Sequence, residues 1–190
     1  MNVTEIDSEL QEIINGCLNN DRLSQHRLYD RYAPRMYGVC LRYANSREEA
    51  EDMLMEGFMR VFKSLSTFRW ESSFTTWIHS VMVNTAVSHF RSVKRFRKEL
   101  FSSDAMEGEE FAEEENIIAS LEAKQLLELL EQMPDGMRVV FNLKAVEEYS
   151  FSEIAEKLGK KENAIRISYM RARKWMMEAM RRRSDETMKR

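Results

Sequence analysis

Between Ser66 and Asn84 the chain gathers Phe68, Arg69, Trp70, Ser72, Phe74, Trp77 and Asn84. Holding an unstacked nucleobase requires an aromatic or apolar wall, an amide or hydroxyl that reads the base edge, and cations for the neighbouring phosphates. This segment supplies all three residue types, and Arg91, Lys94, Arg95, Arg97 and Lys98 follow on the same expected helix. Cations at a helix C-terminus are also stabilised by the macrodipole, so part of that basic cluster needs no ligand. A second group, Asp52, Met55, Glu56 and Met59, recurs at three- and four-residue spacing and so shares one helix face. Carboxylates interleaved with flexible thioethers suit a partner helix that carries basic residues. On residue types alone, a solvated first turn with its methionines in the core is the simpler reading. A third group comprises Lys161, Asn163, Arg166, Ile167, Met170, Arg171 and Arg173. Arg166 can donate bidentately to guanine and Ile167 can pack on a thymine methyl. Arg171 and Arg173 suit phosphates, which position a protein on DNA without specifying sequence. A helical hairpin used for protein binding is the alternative reading of this last group.

The charge pattern bears on the same question. The net charge of -3 over 190 residues conceals a segregation along the chain. Residues 1–21 carry five acids and no base, and residues 22–98 carry 14 bases against 7 acids. Residues 99–131 carry 11 acids against one base, and residues 132–190 carry 14 bases against 9 acids. Two basic blocks separated by an acidic one point to polyanionic partners, although local fluctuation of charge is the plainer explanation.

The elements that must position these groups read as helices throughout. Helical periodicity recurs from Leu10 almost to the end, and only 6 Gly and 2 Pro interrupt it. A long helix is expected over 22–45, with a kink at Pro34. Ser46-Arg-Glu-Glu49 forms a capping box that opens a helix to about Leu65. After the loop Ser66–Ser73, Ser72 or Ser73 caps a helix with Phe74, Trp77, Ile78 and Val81 on its apolar stripe. In this reading Trp77 is mainly structural. Residues 99–116 are rich in glutamate and read as a self-repelling linker. Structure resumes near Ile117, breaks at Met133–Gly136, and continues as a helix over Met137–Glu147. Ser150-Phe-Ser-Glu153 is a second capping box, and Gly159 stops its helix in a left-handed conformation. The next helix turns Ile165, Tyr169, Ala172 and Trp175/Met176 inward. Two short helices around a Gly-containing turn are the pattern of a helix-turn-helix. No strand pattern competes, so the expected fold class is all-α.

Other chemistries find little support. There is no Gly-rich phosphate loop, no HExxH and no recognisable nucleophile, so no catalytic residue is expected. The acidic helix positions lack the Glu-x-x-His pattern of di-iron bundles. Cys17 and Cys40 form no CxxC pair, and His26, His79 and His89 are scattered, so neither a metal nor a cofactor is expected. No apolar run reaches membrane-spanning length, and Met1–Leu10 lacks the features of a signal peptide, which predicts a cytoplasmic protein without direct membrane contact.

At this point the motifs meet a known family. Arg47-Glu-Glu-Ala-Glu-Asp52-Met-Leu-Met-Glu56-Gly-Phe58, then Phe68-Arg-Trp-Glu-Ser-Ser-Phe-Thr-Thr-Trp77 and Asn84, resemble region 2 of extracytoplasmic-function sigma factors. Phe151-Ser-Glu-Ile-Ala-Glu-Lys-Leu-Gly159, Ala164-Ile-Arg166 and Arg171-Ala-Arg173 resemble their region 4. The departures are Met55 where the family usually has Gln, Trp70 where it usually has Gly, and Arg166-Ile167-Ser168 where Lys/Arg-Ser-Arg is common. The resemblance implies two helical domains on an acidic flexible tether. These are an N-terminal extension (1–21), region 2 (22–98), a linker (99–120) and a region 4 helix-turn-helix (121–183). It implies that Asp52, Met55, Glu56 and Met59 meet the beta-prime clamp coiled coil of RNA polymerase core, whose beta flap is a further expected contact. Phe68, Arg69, Trp70, Ser72, Asn84, Arg91, Lys94 and Arg95 would contact the minus-10 element. Lys161, Asn163, Arg166, Ile167, Met170, Arg171 and Arg173 would contact the minus-35 element. An anti-sigma factor is a further implied partner, and the one route to a membrane. Two other readings stay open: a helix-turn-helix regulator that acts without polymerase core, and a helical interaction protein with no DNA role.

Overall fold

Four leading residues of the first helix, Leu10, Ile13, Ile14 and Cys17, repeat at the i, i+3, i+4, i+7 spacing of one helix face, and all four are buried. In the computed structural model, which describes residues 8–92 and 123–188, with side chains to residue 183, they belong to α1 (Ser8–Leu18). The remaining helices are α2 (Arg22–Leu41), α3 (Arg47–Ser64), α4 (Phe74–Ser92), α5 (Ala123–Gln132), α6 (Asp135–Phe141), α7 (Phe151–Leu158) and α8 (Glu162–Met188). A 3-10 turn at Leu65–Thr67 follows α3, and a π-helical turn at Asn142–Val146 follows α6. No strand occurs among the described residues, so the architecture is all-α. The chain divides into two compact units, Met1–Ala86 and Val87–Arg190. That division falls inside α4, ahead of the expected boundary at residue 98. Lys94, Arg95, the expected acidic linker 99–120 and the first residues of the expected 121–183 domain lie outside the described residues.

The segment 1–21, expected as an extension, contributes a core helix to the first unit. The apolar stripe of α1 is buried, and α1 packs on α2. Glu9 accepts from Arg27 at 2.8 Å and lies 3.6 Å from Arg31, tying α1 to α2. The turn between them is capped by Asp21, which accepts from the Ser24 amide at 2.9 Å and its hydroxyl at 2.6 Å. Those hydrogen bonds hold the exposed Asp21 carboxyl below its ordinary pKa. At Gly16 the helices approach so closely that a methyl group would overlap both the hydroxyl and the Cβ of Ser24. Pro34 sits inside α2, which continues to Leu41. The core beneath is filled by Leu28, Tyr32, Met36 and Tyr43 from α2 and its exit, and by Ala50, Met53, Phe58 and Val61 from α3. Phe74, Ile78, Met82 and Ala86 of α4 complete it, while Trp77 and Val81 of the expected stripe are only half-buried. The buried stripe follows the i+4 series, and Gly57 of α3 leaves room for the Met82 sulfur. Burial pushes the Cys17 and Cys40 thiols up to about 11 and about 12, so both remain protonated core groups at neutral pH.

Local signals set the other helix ends. Ser46 accepts from the Glu49 amide at 3.2 Å, but the Glu49 carboxylate reaches the Asn45 amide at 2.6 Å, one residue earlier than a capping box places it. Ser73, not Ser72, caps α4 through the Thr76 amide at 3.1 Å. In the second unit, α6 begins at Asp135, ahead of the expected Met137, because Pro134 supplies a fixed φ of -52° as its cap. Arg138 is buried and pairs with Asp135 at 2.5 Å. Leu126, Leu129, Leu130 and Met133 pack with Phe141, Ala172, Met176 and Ala179 into one cluster. Glu128 and Arg183 join α5 to α8, and that bond lowers the Glu128 pKa.

The Gly16 contact gives a stability test with an internal control. Gly16→Ala must part α1 from α2 and should cost about 1–3 kcal/mol in urea unfolding. Gly38→Ala, with nothing within 4 Å of the added methyl, should instead stabilise α2 by about 0.5–1 kcal/mol through helix propensity.

Candidate partner and nucleic-acid surfaces

Three groups of outward residues stand on these cores. The first lies on α3. Burial of Met53, Leu54, Gly57 and Phe58 turns the opposite side outward, where Asp52 is exposed and Met55 and Met59 are 66% and 55% exposed. The methionines are therefore surface groups, against the simpler reading that sent them inward. Glu56 is half-buried and accepts from Arg60 at 2.6 Å, so its carboxylate is neutralised within its own helix. Beside Met55 a groove of about 540 Å³ opens between α2 and α3. Tyr29, Ala33, Pro34, Tyr37 and Leu54 give it an apolar floor, and Asp30 and Glu51 an acidic rim. Tyr29 is braced on Phe58 at a ring separation of 4.6 Å. The groove had no mark in the sequence, because its two walls are separated by the α2–α3 turn.

The second group is the loop between α3 and α4. Phe68 is the hub of an aromatic cluster, with ring centroids 4.8 Å from Trp70, 5.2 Å from Phe74 and 5.5 Å from Trp77. Phe74 is buried and meets Tyr32 at 5.1 Å, which roots the cluster in the core of the first unit. From that root outward the rings become progressively accessible, since Phe68, Trp70 and Trp77 are half-buried. Trp70 has φ of +60°. A bulky side chain in the left-handed region is an outlier and costs roughly 1–2 kcal/mol. The position that the family usually gives to Gly is thus one whose backbone geometry favours Gly. Arg69 and Ser72 are exposed on the loop that carries the cluster, Asn84 is exposed on α4, and Arg91 is exposed in the last turn of α4. The structure brings Phe68, Trp70 and Trp77 into one wall, with Arg69 and Ser72 on the same loop. Asn84 lies two helical turns beyond Trp77 on α4.

The third group is the helix-turn-helix of α7 and α8. Ser150 accepts from the Glu153 amide at 3.2 Å, and Glu153 accepts from the Ser150 amide at 2.7 Å, a complete capping box. These bonds lower the Glu153 pKa. Gly159 closes α7 with φ 63° and ψ 42°, and the Lys160 amide returns to the Ala155 carbonyl at 2.9 Å. Ile165, Ser168, Ala172 and Met176 of α8 are buried, with Tyr169 and Trp175 half-buried beside them. Asn163 and Arg166 are exposed, preceded by exposed Lys161, and Ile167 and Met170 continue the same stripe half-buried. Arg171 and Arg173, each half-buried, fall on opposite flanks of that stripe. Lys174, one turn beyond Met170 and exposed, continues it and was not singled out in the sequence.

Arg166 is held in place by its neighbours. Its Nε and Nη2 both donate to Glu162 Oε1, at 3.0 and 2.6 Å, and its guanidinium lies 4.5 Å from the Phe151 ring centroid. Phe151 in turn meets Tyr169 edge-on at 5.6 Å. Neither Glu162 nor Phe151 stood out as functional in the sequence; the i, i+4 spacing of Glu162 and Arg166 was the available signal. Among the described residues, no group of His, Cys, Asp and Glu could hold a metal ion, and no helix is long and apolar enough to cross a membrane.

Comparison with known proteins gives these surfaces a common context. The family model "Sigma-70 region 2" matches residues 28–96, and "Sigma-70, region 4" matches residues 123–176. RNA polymerase sigma-H factor of Pseudomonas aeruginosa is 25% identical over 181 residues, 90% of this chain and 93% of that protein. ECF RNA polymerase sigma-E factor of Escherichia coli (strain K12) is 27% identical over 173 residues, 86% of this chain and 90% of that protein. The solved structure of the sigma factor RpoE in complex with the anti-sigma factor NepR from Bartonella quintana is 20% identical, with a TM-score of 0.49, covering 82% of this chain and 96% of that one. Both sigma-70 regions occur in order on one chain that aligns with extracytoplasmic-function relatives over most of their length: this protein belongs to the sigma-70 family, as an RNA polymerase sigma factor of the extracytoplasmic-function type.

Proposed function

We propose that the first unit engages polymerase core and the minus-10 element while the α7–α8 motif reads the minus-35 duplex. The observation that carries this division is that the aromatic wall and the recognition stripe face outward from two separate hydrophobic cores. An aromatic platform suits an unstacked base, whereas an outward helix of the α8 type suits a major groove. The clamp coiled coil of polymerase would meet Asp52, Met55, Glu56 and Met59, with basic side chains reaching the acidic rim of the adjoining groove. In this role the protein moves no bonds itself; it acts in the cytoplasm as a subunit of the polymerase holoenzyme. Region 4 would also sit on the beta flap. Exposed Met55 and Met59 leave an apolar face that an anti-sigma factor would cover when polymerase is absent.

The first test addresses the polymerase face. Charge reversal, Asp52→Lys or Glu56→Lys, should abolish transcription and co-purification with core enzyme while leaving helicity by circular dichroism unchanged. Wild-type yields of holoenzyme from both variants would refute the assignment.

The second addresses the loop. Trp70→Gly relaxes the left-handed backbone and removes one ring of the wall. It should preserve or raise thermal stability, yet weaken holoenzyme binding to single-stranded minus-10 DNA by the roughly 1–3 kcal/mol of one stacking contact. Unchanged binding would show that Trp70 touches no base.

The third separates reading from positioning on α8. Arg166→Ala should relax preference at one minus-35 position, since a bidentate guanine contact is worth about 1–3 kcal/mol. Arg173→Ala should weaken all promoters alike and lower the salt slope by about one. Transcription from every single-base variant of one promoter distinguishes the two patterns.

A further inference from the structure

We propose that Glu162 is a specificity-determining positioning residue, which holds Arg166 with one edge presented to guanine and withholds its charge from phosphates. The inference rests on the reading of Arg166 as a base contact and adds a second residue to it. A guanidinium offers five N–H donors in a planar fork. Glu162 Oε1 takes the Nε edge, receiving from Nε at 3.0 Å and from Nη2 at 2.6 Å. The end formed by Nη1 and the second Nη2 hydrogen is left outside that pair, and this end has the spacing needed for the O6 and N7 acceptors of guanine. The Phe151 ring, 4.5 Å from the guanidinium carbon, defines a face for the group. Phe151 is fixed in turn by its edge contact with Tyr169. One carboxylate and one ring therefore restrain a side chain that otherwise gives up its rotamer freedom on binding.

The pair also has an electrostatic consequence. Glu162 and Arg166 are both partly exposed, at 42% and 53% of their side chains, and stand at i, i+4 in the first turns of α8. Next to DNA, a neutralised Arg166 gains little from phosphates in general, because the carboxylate is repelled by the same backbone that attracts the guanidinium. Guanine compensates that repulsion with two directed hydrogen bonds, and other bases do not. Glu162 thus lowers affinity for arbitrary DNA more than for the cognate site, which is specificity obtained by penalising the wrong partner.

The experiment uses holoenzyme reconstituted from the full chain and core polymerase. Transcription is measured from every single-base variant of one minus-35 element for wild type, Arg166→Ala, Glu162→Gln and Phe151→Leu. Glu162→Gln should lose discrimination by about three- to tenfold at the same position that Arg166→Ala flattens. Binding of Glu162→Gln holoenzyme to a promoter-free duplex should tighten, with its salt slope steeper by about one, as the released Arg166 finds a phosphate. Phe151→Leu should reduce discrimination at that position with no change in salt slope. A Glu162→Gln profile identical to wild type, where Arg166→Ala does flatten one position, would overturn the role of Glu162 and leave the reading of Arg166 intact. A uniform loss across all variants would reduce Glu162 to a helix-start residue, and a change at a different position would make it a base reader in its own right; either overturns the proposal. If Arg166→Ala flattens no position, the underlying reading fails, and the proposal with it.

Discussion

Each helix of this protein can bury only one side, and every functional feature follows from which side that is. The constraint is geometric: at 3.6 residues per turn, residues three and four apart share a face, so burying one stripe commits the opposite one to the outside. On α3, burial of Met53, Leu54, Gly57 and Phe58 forces Asp52, Met55 and Met59 out. On α8, burial of Ile165, Ser168, Ala172 and Met176 forces out Asn163 and Arg166, leaves Ile167 and Met170 half-buried on the same stripe, and sends Arg171 and Arg173 to the flanks. The aromatic wall is the same logic applied to a loop: Phe74 is anchored in the core, and Phe68, Trp70 and Trp77 stack outward from it.

A second regularity concerns charge. Arg166 on α8 and Glu56 on α3, both in the proposed contact surfaces, are each engaged by an i, i+4 partner, Glu162 with Arg166 and Arg60 with Glu56. Exposed pairs of this kind contribute little to stability. In the proposed role their effect would be on availability, because a partner would have to displace or accommodate the internal counter-ion before binding.

Much of this was legible in the sequence because helices announce themselves locally. The Ser150/Glu153 box and Gly159 encode the start and stop of α7 in ten residues, and the structure realises both. The inward set of α8 was readable from its period, with Ser168 the exception, since a hydroxyl within an apolar stripe gives no hydrophobic signal. What was not legible required contacts between elements. The packing of α1 on α2 was one such contact, although the helical period from Leu10 was present. Trp77 looked like core by period, yet it is half-buried and packs on Phe68 of the loop. The groove beside Met55 depends on how α2 lies against α3, and the clamp on Arg166 depends on Phe151, fifteen residues away in the chain. Local rules thus gave the helices and most outward residues, while the environment of each outward residue came only from packing.

The close approach at Gly16 and Ser24 has a practical consequence for dividing the molecule. The sigma-70 region 2 match begins at residue 28, in the interior of α2. A fragment trimmed to that boundary would lack the α1 stripe and the Asp21 cap, and would expose the side of α2 on which α1 rests. Such a fragment would be prone to self-association through the newly bared apolar surface. Excision upstream of Ser8 keeps that seam intact, so the smallest independently handled piece of the first unit is longer than its family signature.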